Sequence, residues 1–300
     1  MNLPSAHPTS LLRNAANIGL QRRRLSALAT ALLAALCTLA LGTQARAQQE
    51  RDRPLWEIGA VGIGLSQQAY PGSSESIGRA LVIPFGIYRG ELLRIEGGGA
   101  NLRAMSTPRV ELDLGVSGSL GGRADDSVAR RGMADLGTLV EIGPRLRWHI
   151  TDPQKADRWR LDLPVRGVFD LSNGLATRGA VFEPELSYSH RDREGWTYST
   201  GISLVWANQS MNALFYGVSA EEATATRAAY DAKAGLLTMR LSGTVSRPLN
   251  RDTRLIAFGR MDSVNGAANQ ASPLVQQNTG FSAGLVVAYT WKQSEARAPD

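Results

Sequence analysis

Histidine and serine are the residues that could carry hydrolytic chemistry in this 300-residue chain, and histidine is scarce. Of the three histidines, only His149 and His190 fall after residue 47. Ser189 precedes His190, but neighbouring residues on a strand point to opposite faces, so they cannot form a nucleophile–base pair locally. A general base must lie about 2.6–3.2 Å from the proton that it removes. The sequence therefore predicts that the protein is not an enzyme.

Metal and cofactor chemistry also lacks the residues that it needs. Cys37 is the only cysteine, and it lies in the segment assigned below to a signal peptide, so the exported part has no disulfide and no thiolate metal site. No histidine or carboxylate spacing typical of zinc or calcium sites stands out. Residues 97–99 are three glycines without the Lys-Ser/Thr of a phosphate-binding loop, which indicates a tight turn. We expect no metal and no cofactor.

Charged residues show a clearer pattern, because they recur at alternate positions in three successive segments. Apolar residues such as Trp159, Leu161 and Leu163 fill the positions between them. Opposite charges on neighbouring strands can pair across a sheet, and each pair contributes about 0.2–1 kcal/mol. The members of this charged group are Glu141, Arg145, Arg147, Arg160, Asp162, Arg166, Glu183 and Glu185, with His149 and Asp170 at segment ends.

The elements that would position these side chains are β-strands. Apolar residues alternate with polar or small ones in segment after segment, and alternation over several residues is the signature of a strand. The clearest examples are the segments 110–117, 159–166, 196–206 and 281–291. This period recurs too often for a mixed α/β fold, so the sequence predicts an all-β protein.

A soluble β-sandwich also alternates, but three features favour a membrane barrel. Segments such as 140–150 and 159–170 reach the about 9–11 residues that a tilted membrane strand requires. Aromatic residues collect at segment ends, where a bilayer places its girdles. Long connectors (67–78, 120–138, 207–233 and 263–278) alternate with short ones, as when long loops occupy one rim. The sequence thus predicts a transmembrane antiparallel up-and-down β-barrel over residues 54–291.

The number of strands stays open between ten and twelve. Twelve segments can be delimited, but Leu81, Ile83 and Ile87 stay in phase with Leu93 and Ile95, so residues 79–96 fit one long strand as well as a hairpin. If residues 99–119 are also continuous, the count is ten. Both numbers are even, and both return the two chain ends to the same rim.

The orientation of the charged group follows from its cost in lipid. An arginine that faces lipid near the bilayer midplane costs about 2–4 kcal/mol, so this group is predicted to face the barrel interior. A barrel of ten or twelve strands is narrow, and we expect ion-paired side chains to block much of it. The alternative is a small solvated pore.

The N-terminal segment has the composition of a secretory signal. Arg22–Arg24 form a basic region, Leu25–Leu41 is an apolar or small run, and Ala45 and Ala47 flank Arg46 in a cleavage site. A membrane anchor would need about 20 apolar residues. We therefore predict a signal peptide over residues 1–47, a linker over 48–53, the barrel over 54–291 and a tail over 292–300.

Removing the signal changes the charge balance. The whole chain has a formal net charge of +6, but residues 48–300 hold 28 basic and 27 acidic residues. No basic patch for nucleic acid is left. The expected partner of the barrel surface is membrane lipid.

Several short segments together resemble the MipA/OmpV family of outer-membrane proteins. Their order and spacing, more than any one of them, carry the likeness from about residue 54 to 291. The matching segments are 54–59 (PLWEIG), 70–75 (YPGSSE), Pro84 with 88–90 (YRG), 111–115 (ELDLG), 132–135 (GMAD), 139–144 (LVEIGP), 216–219 (YGVS), 230–235 (YDAKAG) and 272–274 (SPL). The family's barrels usually end on an aromatic residue, whereas here nine residues follow Trp291.

The resemblance implies an outer-membrane location and no catalytic residues. It also implies a scaffold role, because one family member is regarded as linking a murein-degrading lytic transglycosylase to a penicillin-binding protein. The alternatives are a narrow channel or porin-like uptake barrel, and an adhesin that acts through its long outer loops. In the longest of these loops, Ser219 and Glu222 have capping-box spacing, so a short helix over residues 223–230 is possible beside a flexible loop.

Overall fold

The computed structural model describes residues 53–96, 99–119 and 121–298. The predicted signal peptide and residues 48–52 of the predicted linker lie outside these residues. No helix in the described part of the chain is long and apolar enough to span a membrane. The described residues form one antiparallel β-sheet that closes on itself.

Thirteen strands are present in the described residues, and they make twelve positions in the wall. Strands β8 and β9 pair with the same two neighbours, β7 and β10, so they are two halves of one wall position. The strands are β1 (Trp56–Gln68), β2 (Ser76–Arg89), β3 (Leu93–Glu96), β4 (Gly99–Ser106), β5 (Val110–Ser119), β6 (Leu139–His149), β7 (Asp157–Asp170), β8 (Ala176–Phe182), β9 (Glu185–Arg191), β10 (Thr197–Ala207), β11 (Gly235–Pro248), β12 (Thr253–Ser263) and β13 (Thr279–Gln293).

Closure is made by the first and last strands. β1 pairs with β13 in antiparallel register, with Ser66 opposite Ala283, and every other wall strand pairs with its neighbours along the chain. This topology confirms the predicted barrel. It also decides the strand number at twelve, because β2 and β3 are separate strands and β3 forms a hairpin with β4.

The residues after Trp291 continue the seam between the two chain ends. β13 runs to Gln293, and beyond it Ser294 N–H donates to Trp56 O at 2.9 Å. Leu55 N–H donates to Ala296 O at 2.8 Å, and Pro54 forms a bridge with Arg297. The described part of the tail therefore extends the closing pair of strands.

The outer face of the wall is apolar. Along β13, Leu285 is 57% exposed and Trp291 is 61% exposed, while Ser282 on the opposite face is only 8% exposed. The same alternation holds on β10, where Ile202 is exposed and Ser203 is buried. Exposed Trp148 and Trp159 lie near the rim that carries the chain ends, where an aromatic girdle meets the membrane surface.

Prolines lie where the hydrogen-bond ladder is interrupted, between β6 and β7 and between β8 and β9. The β6–β7 register omits Gly143 and Pro144, and a Cβ on Gly143 would lie 2.0 Å from Val165 O, so the backbones approach closely there. Pro164 lies opposite Arg145, and Pro184 separates β8 from β9. Proline lacks an N–H, so it is tolerated where a ladder is already broken.

One helix of eight residues, α1 (Gln209–Tyr216), follows β10 in the long connector. Asn208 caps it by accepting a hydrogen bond from Met211 N–H at 3.1 Å. The predicted helix over residues 223–230 is wrong, because Thr224 and Arg227 form a tight turn there. The reciprocal bonds between Ser219 and Glu222 do form, but they close a turn that no helix follows.

Candidate functional site: the charged interior and the outer mouth

Near the rim that carries the chain ends, ion pairs join β5, β6 and β7. Arg147 on β6 contacts Glu111 on β5 at 3.2 Å and Asp162 on β7 at 3.0 Å. Arg160 also contacts Asp162, at 2.7 Å, and His149 Nε2 lies 3.4 Å from Glu111 Oε1. Because strands of a barrel alternate between lipid and interior, these side chains lie on the interior face, opposite exposed Leu146 and Trp148. A single connected network thus spans three strands.

A second chain of ion pairs runs higher in the barrel and crosses more of its wall. Its six members alternate in charge, and each carboxylate contacts at least one guanidinium. Arg166 contacts Glu141 at 3.1 Å, and Arg240 contacts Asp262 at 2.9 Å. Glu183 joins the two halves, because it contacts both Arg166 and Arg240. In order, the chain is Glu141, Arg166, Glu183, Arg240, Asp262 and Arg260.

The break between β8 and β9 places Glu183 at the centre of this chain. Glu183 precedes Pro184, and its N–H reaches Pro164 O at 3.3 Å. The Glu183 side chain extends across β10 toward β11. Its carboxylate accepts a hydrogen bond from Ser203 Oγ on β10 at 3.3 Å and pairs with Arg240 on β11. A half-buried acid of this kind is costly unless each oxygen is bonded, and here both are.

Seven of the eight predicted charged residues take part in ion pairs in the structure. Arg145 pairs with Asp113 at 2.6 Å and also donates to Asn101 at 2.9 Å. Glu185 is the exception: within the described residues it forms no ion pair, and its carboxylate lies against Gly201. The other six are Glu141, Arg147, Arg160, Asp162, Arg166 and Glu183.

Five residues that take part in these ion pairs lie outside the predicted group. Arg240 lies between Met239 and Leu241, so alternation alone carried the signal for its orientation. Its partner, Asp262, lies directly opposite it in the β11–β12 register, and no sequence pattern specifies that register. The others are Glu111, Asp113 and Arg260.

The mouth opposite the chain ends is covered by loops and by α1. Tyr216, at 1% exposure, donates its hydroxyl to Pro71 O at 3.0 Å, and Tyr70 donates to Leu274 O at 2.8 Å. Burial raises the pKa of the Tyr216 phenol, which therefore stays protonated and remains a donor. Leu136, Val218 and Leu274 pack with Tyr70 in one apolar cluster.

Two buried arginines tie the covering loops to one another. Arg130 donates to Leu214 O and Phe215 O, at 3.3 and 3.2 Å, and so joins the β5–β6 loop to the end of α1. Arg227 donates to Ala129 O at 2.8 Å and to Glu222 O, which joins the same loop to the long connector. Burial lowers the pKa of the Arg130 guanidinium, and the backbone carbonyls stabilise its charge.

A cavity of about 180 Å³ remains beneath this cover. Its lining includes both apolar residues, such as Leu237, and charged ones, Glu141, Arg240 and Arg260. This volume is large enough for several water molecules beside the charged groups. The loops and α1 lie over this cavity at the mouth.

The two histidines have separate carboxylate partners. His190 Nδ1 lies 2.8 Å from Asp157 Oδ1, which also accepts a hydrogen bond from the Tyr188 hydroxyl at 2.5 Å. Ser189 Oγ instead accepts from Arg158 Nε at 3.3 Å. In the described part of the chain, no three histidine, aspartate or glutamate side chains converge as metal ligands.

A closed barrel with an apolar exterior and a charged interior belongs to the class of transmembrane β-barrels of bacterial outer membranes. The family model described as "MltA-interacting protein MipA" matches residues 59–291. The chain belongs to this family. No curated protein matches it.

Comparison with solved structures finds matches at low sequence identity. The NanC porin is 10% identical, with a TM-score of 0.39, and the match covers 77% of this chain and 98% of that one. A Pseudomonas aeruginosa FadL homologue is 10% identical, with a TM-score of 0.35, over 78% of this chain and 88% of that one. An outer membrane channel from Pseudomonas putida F1 is also 10% identical, with a TM-score of 0.35, and the match covers 80% of this chain and 96% of that one.

Proposed function

We propose that this protein is a non-enzymatic outer-membrane scaffold that binds murein-degrading and murein-synthesising enzymes on its periplasmic side. Membership in a family described by its interaction with MltA carries the proposal. The covered mouth supports it, because a barrel closed by Tyr216 and Leu274 offers surface rather than an axial route. In this proposal the N-terminal signal exports the chain, and a lytic transglycosylase and a penicillin-binding protein are the expected partners.

The rim that carries the chain ends would face the periplasm and hold the docking surface. Its turns are short and held by side-chain caps: Asp152 accepts from Gln154 N–H at 2.9 Å, and Asp192 accepts from Trp196 N–H at 2.9 Å. Arg247 stacks over the Trp196 ring, 5.0 Å from its centroid. Exposed Lys155 and Arg193 project from these ordered turns. Such preformed turns bind a partner with little loss of loop entropy.

The test is affinity capture from detergent-solubilised envelopes, with mass spectrometry of the retained proteins. The wild-type barrel is expected to retain a lytic transglycosylase or a penicillin-binding protein. The double variant Lys155→Glu/Arg193→Glu should lose most of it, while Arg123→Glu/Arg131→Glu, the same charge change on the opposite rim, should not. Retention of neither enzyme class by the wild-type protein would refute the scaffold role.

A further inference from the structure

The barrel wall has a gap above the short β3–β4 hairpin. β2 is fourteen residues long and pairs along its whole length with β1, but on its other side only Tyr88 and Arg89 pair with β3. β3 itself has four residues. Among the described residues, the β2 edge from residue 80 to residue 87 therefore has no strand beside it. We call this gap the β2 window.

The directions of the backbone hydrogen bonds at the end of β2 show which residues face the gap. Arg89 N–H donates toward β1, to Leu55 O, whereas Gly90 N–H donates toward β3, to Leu93 O. Strand residues alternate in direction, so Pro84 shares the orientation of Gly90 and faces the window. Proline is confined to strand edges because it has no N–H to donate. Pro84 thus lies where a missing donor costs nothing to the β1–β2 ladder.

The upper border of the window is the β5–β6 loop. Arg79 donates to Gly121 O, and Val128 N–H donates to Glu75 Oε1 at 2.7 Å. The Ile77 side chain packs against Gly122. The loop therefore reaches across from β5 and meets β2 above the gap.

The window lies in the part of the wall that faces lipid. Val82, which projects outward beside it, is 79% exposed, and the outward residues Leu93 and Leu102 of the hairpin below are also exposed. An unpaired strand edge does not persist against hydrocarbon, because each unsatisfied backbone group costs several kcal/mol, but it persists where it lines a hydrated cavity. The window must therefore connect the bilayer to a hydrated part of the interior.

The interior wall next to the window is apolar, unlike the charged side. Directly opposed residues of neighbouring strands share a face. Ser282 and Asp262 are buried inside the barrel, so the register identifies the inward residues of the adjacent strands. One inward row crosses four strands as Ile256, Val286, Ile63 and Leu81. The next rows add Val61 opposite Ile83, and Phe85 lying over Gly59.

An arginine borders the window on the interior side. Arg79 is half-buried at the upper border, where one of its N–H groups bonds the Gly121 carbonyl. Guanidinium groups bind phosphate and carboxylate oxygens through paired N–H donors. An apolar wall, a lateral opening to lipid and a guanidinium group at its upper border fit one class of ligand.

We propose that the β2 window admits the acyl chain of an anionic amphiphile from the bilayer, with the chain against the β1–β2 interior wall and the head group near Arg79 at the upper border. A fatty acid and an anionic phospholipid share this chemistry. The site is independent of the scaffold role, since it uses the interior and not the periplasmic rim.

The test is photo-crosslinking in nanodiscs of zwitterionic phosphatidylcholine. One arm carries palmitate with a diazirine in its chain, a second carries phosphatidylglycerol with the same label, and a third carries labelled phosphatidylcholine. Adducts on Val61, Ile63, Leu81, Ile83 and Phe85 in the palmitate or phosphatidylglycerol arm support the site and identify the source. Adducts confined to outward residues such as Leu241 and Leu285 in both anionic arms would overturn it. So would interior adducts of equal yield in all three arms.

Paired substitutions on β2 give the control. Ile83→Trp places a bulky ring on the interior side of the window and should lower interior adducts at least fivefold. Val82→Trp adds the same ring on the lipid side and should leave them unchanged. Arg79→Gln should lower only the yield of the anionic probes. If Ile83→Trp does not fold, as judged by heat-modifiable gel migration, Ile83→Gln replaces it, and unchanged interior adducts in the folded variant would refute the proposal.

Discussion

Asp262 shows how much of the interior network depends on single side chains. It is 2% exposed and binds both Arg240, at 2.9 Å, and Arg260, at 2.6 Å. Its carboxylate is the only acidic partner of Arg260 among the described ion pairs. Removing one member of a buried pair leaves the other charge uncompensated, which is more costly than the pair itself is favourable.

Asp262→Asn should therefore lower the free energy of unfolding. Loss of one partner of a buried pair costs about 3–5 kcal/mol, and we expect the lower end because Arg260 is 37% exposed. Urea unfolding followed by tryptophan fluorescence in detergent micelles measures it. Asp252→Asn, in an exposed turn, is the matched control and should change little. Equal midpoints for the two variants would show that the network does not stabilise the barrel.

The sequence predicted the direction of the charged side chains better than their partners. Arg145, Arg147 and Arg166 alternate with apolar neighbours, so their common face follows from strand geometry alone. The contact of Glu183 with Arg240 depends on the break at Pro184 and on the register of three strands. Pro184 marks a break in the strand, but no local signal specifies the register.

At the scale of elements, close backbone approach between β6 and β7 makes a specific prediction. A methyl group on Gly143 would lie 2.0 Å from Val165 O, whereas one on Gly78 meets nothing within 4 Å. Gly143→Ala should thus destabilise the barrel by about 1–3 kcal/mol, as overpacking does. Gly78→Ala should leave the urea midpoint unchanged. If the two variants unfold together, the two strands separate more easily than their spacing indicates.

The outer loops make a second prediction, because Arg227 binds carbonyls of two of them. Arg227→Ala removes these bonds, so the carbonyls of half-buried Ala129 and Glu222 lose a charged donor, at a cost of about 1–3 kcal/mol per bond. We expect faster trypsin cleavage within residues 121–138, measured by mass spectrometry on the reconstituted barrel. Arg251→Ala, at an exposed position outside the measured segment, is the control. Unchanged cleavage rates would mean that the loops are held mainly by the apolar cluster.

Strand positions followed from alternation, but strand connectivity and helix position did not. The phase of Leu81 and Ile83 continues into Leu93 and Ile95, so the same pattern fits one strand or two; the β3–β4 pairing decides it. Asn208 caps the helix, but no glutamate or glutamine follows three residues later. The start of the helix therefore lacks the capping-box pattern, and the sequence did not predict it.

At the scale of the whole molecule, the covered mouth and the ion pairs predict a poor conductor. Planar-bilayer recording of the wild-type barrel should show no steady, large conductance. Replacing residues 209–232 by a short Gly-Ser linker removes α1 and Tyr216 and should raise conductance several-fold. A large steady conductance of the wild-type protein would contradict a closed interior and favour a channel.

The seam between the chain ends also constrains how the molecule is made. Ser66 and Ala283 pair across 217 positions of sequence, and Leu55 pairs with Ala296 across still more. Contacts of such long separation form slowly, because the intervening chain must be ordered first. The cylinder can be completed only when the last strand is present, so a chain that ends before β13 would leave the edges of β1 and β12 unpaired in the bilayer.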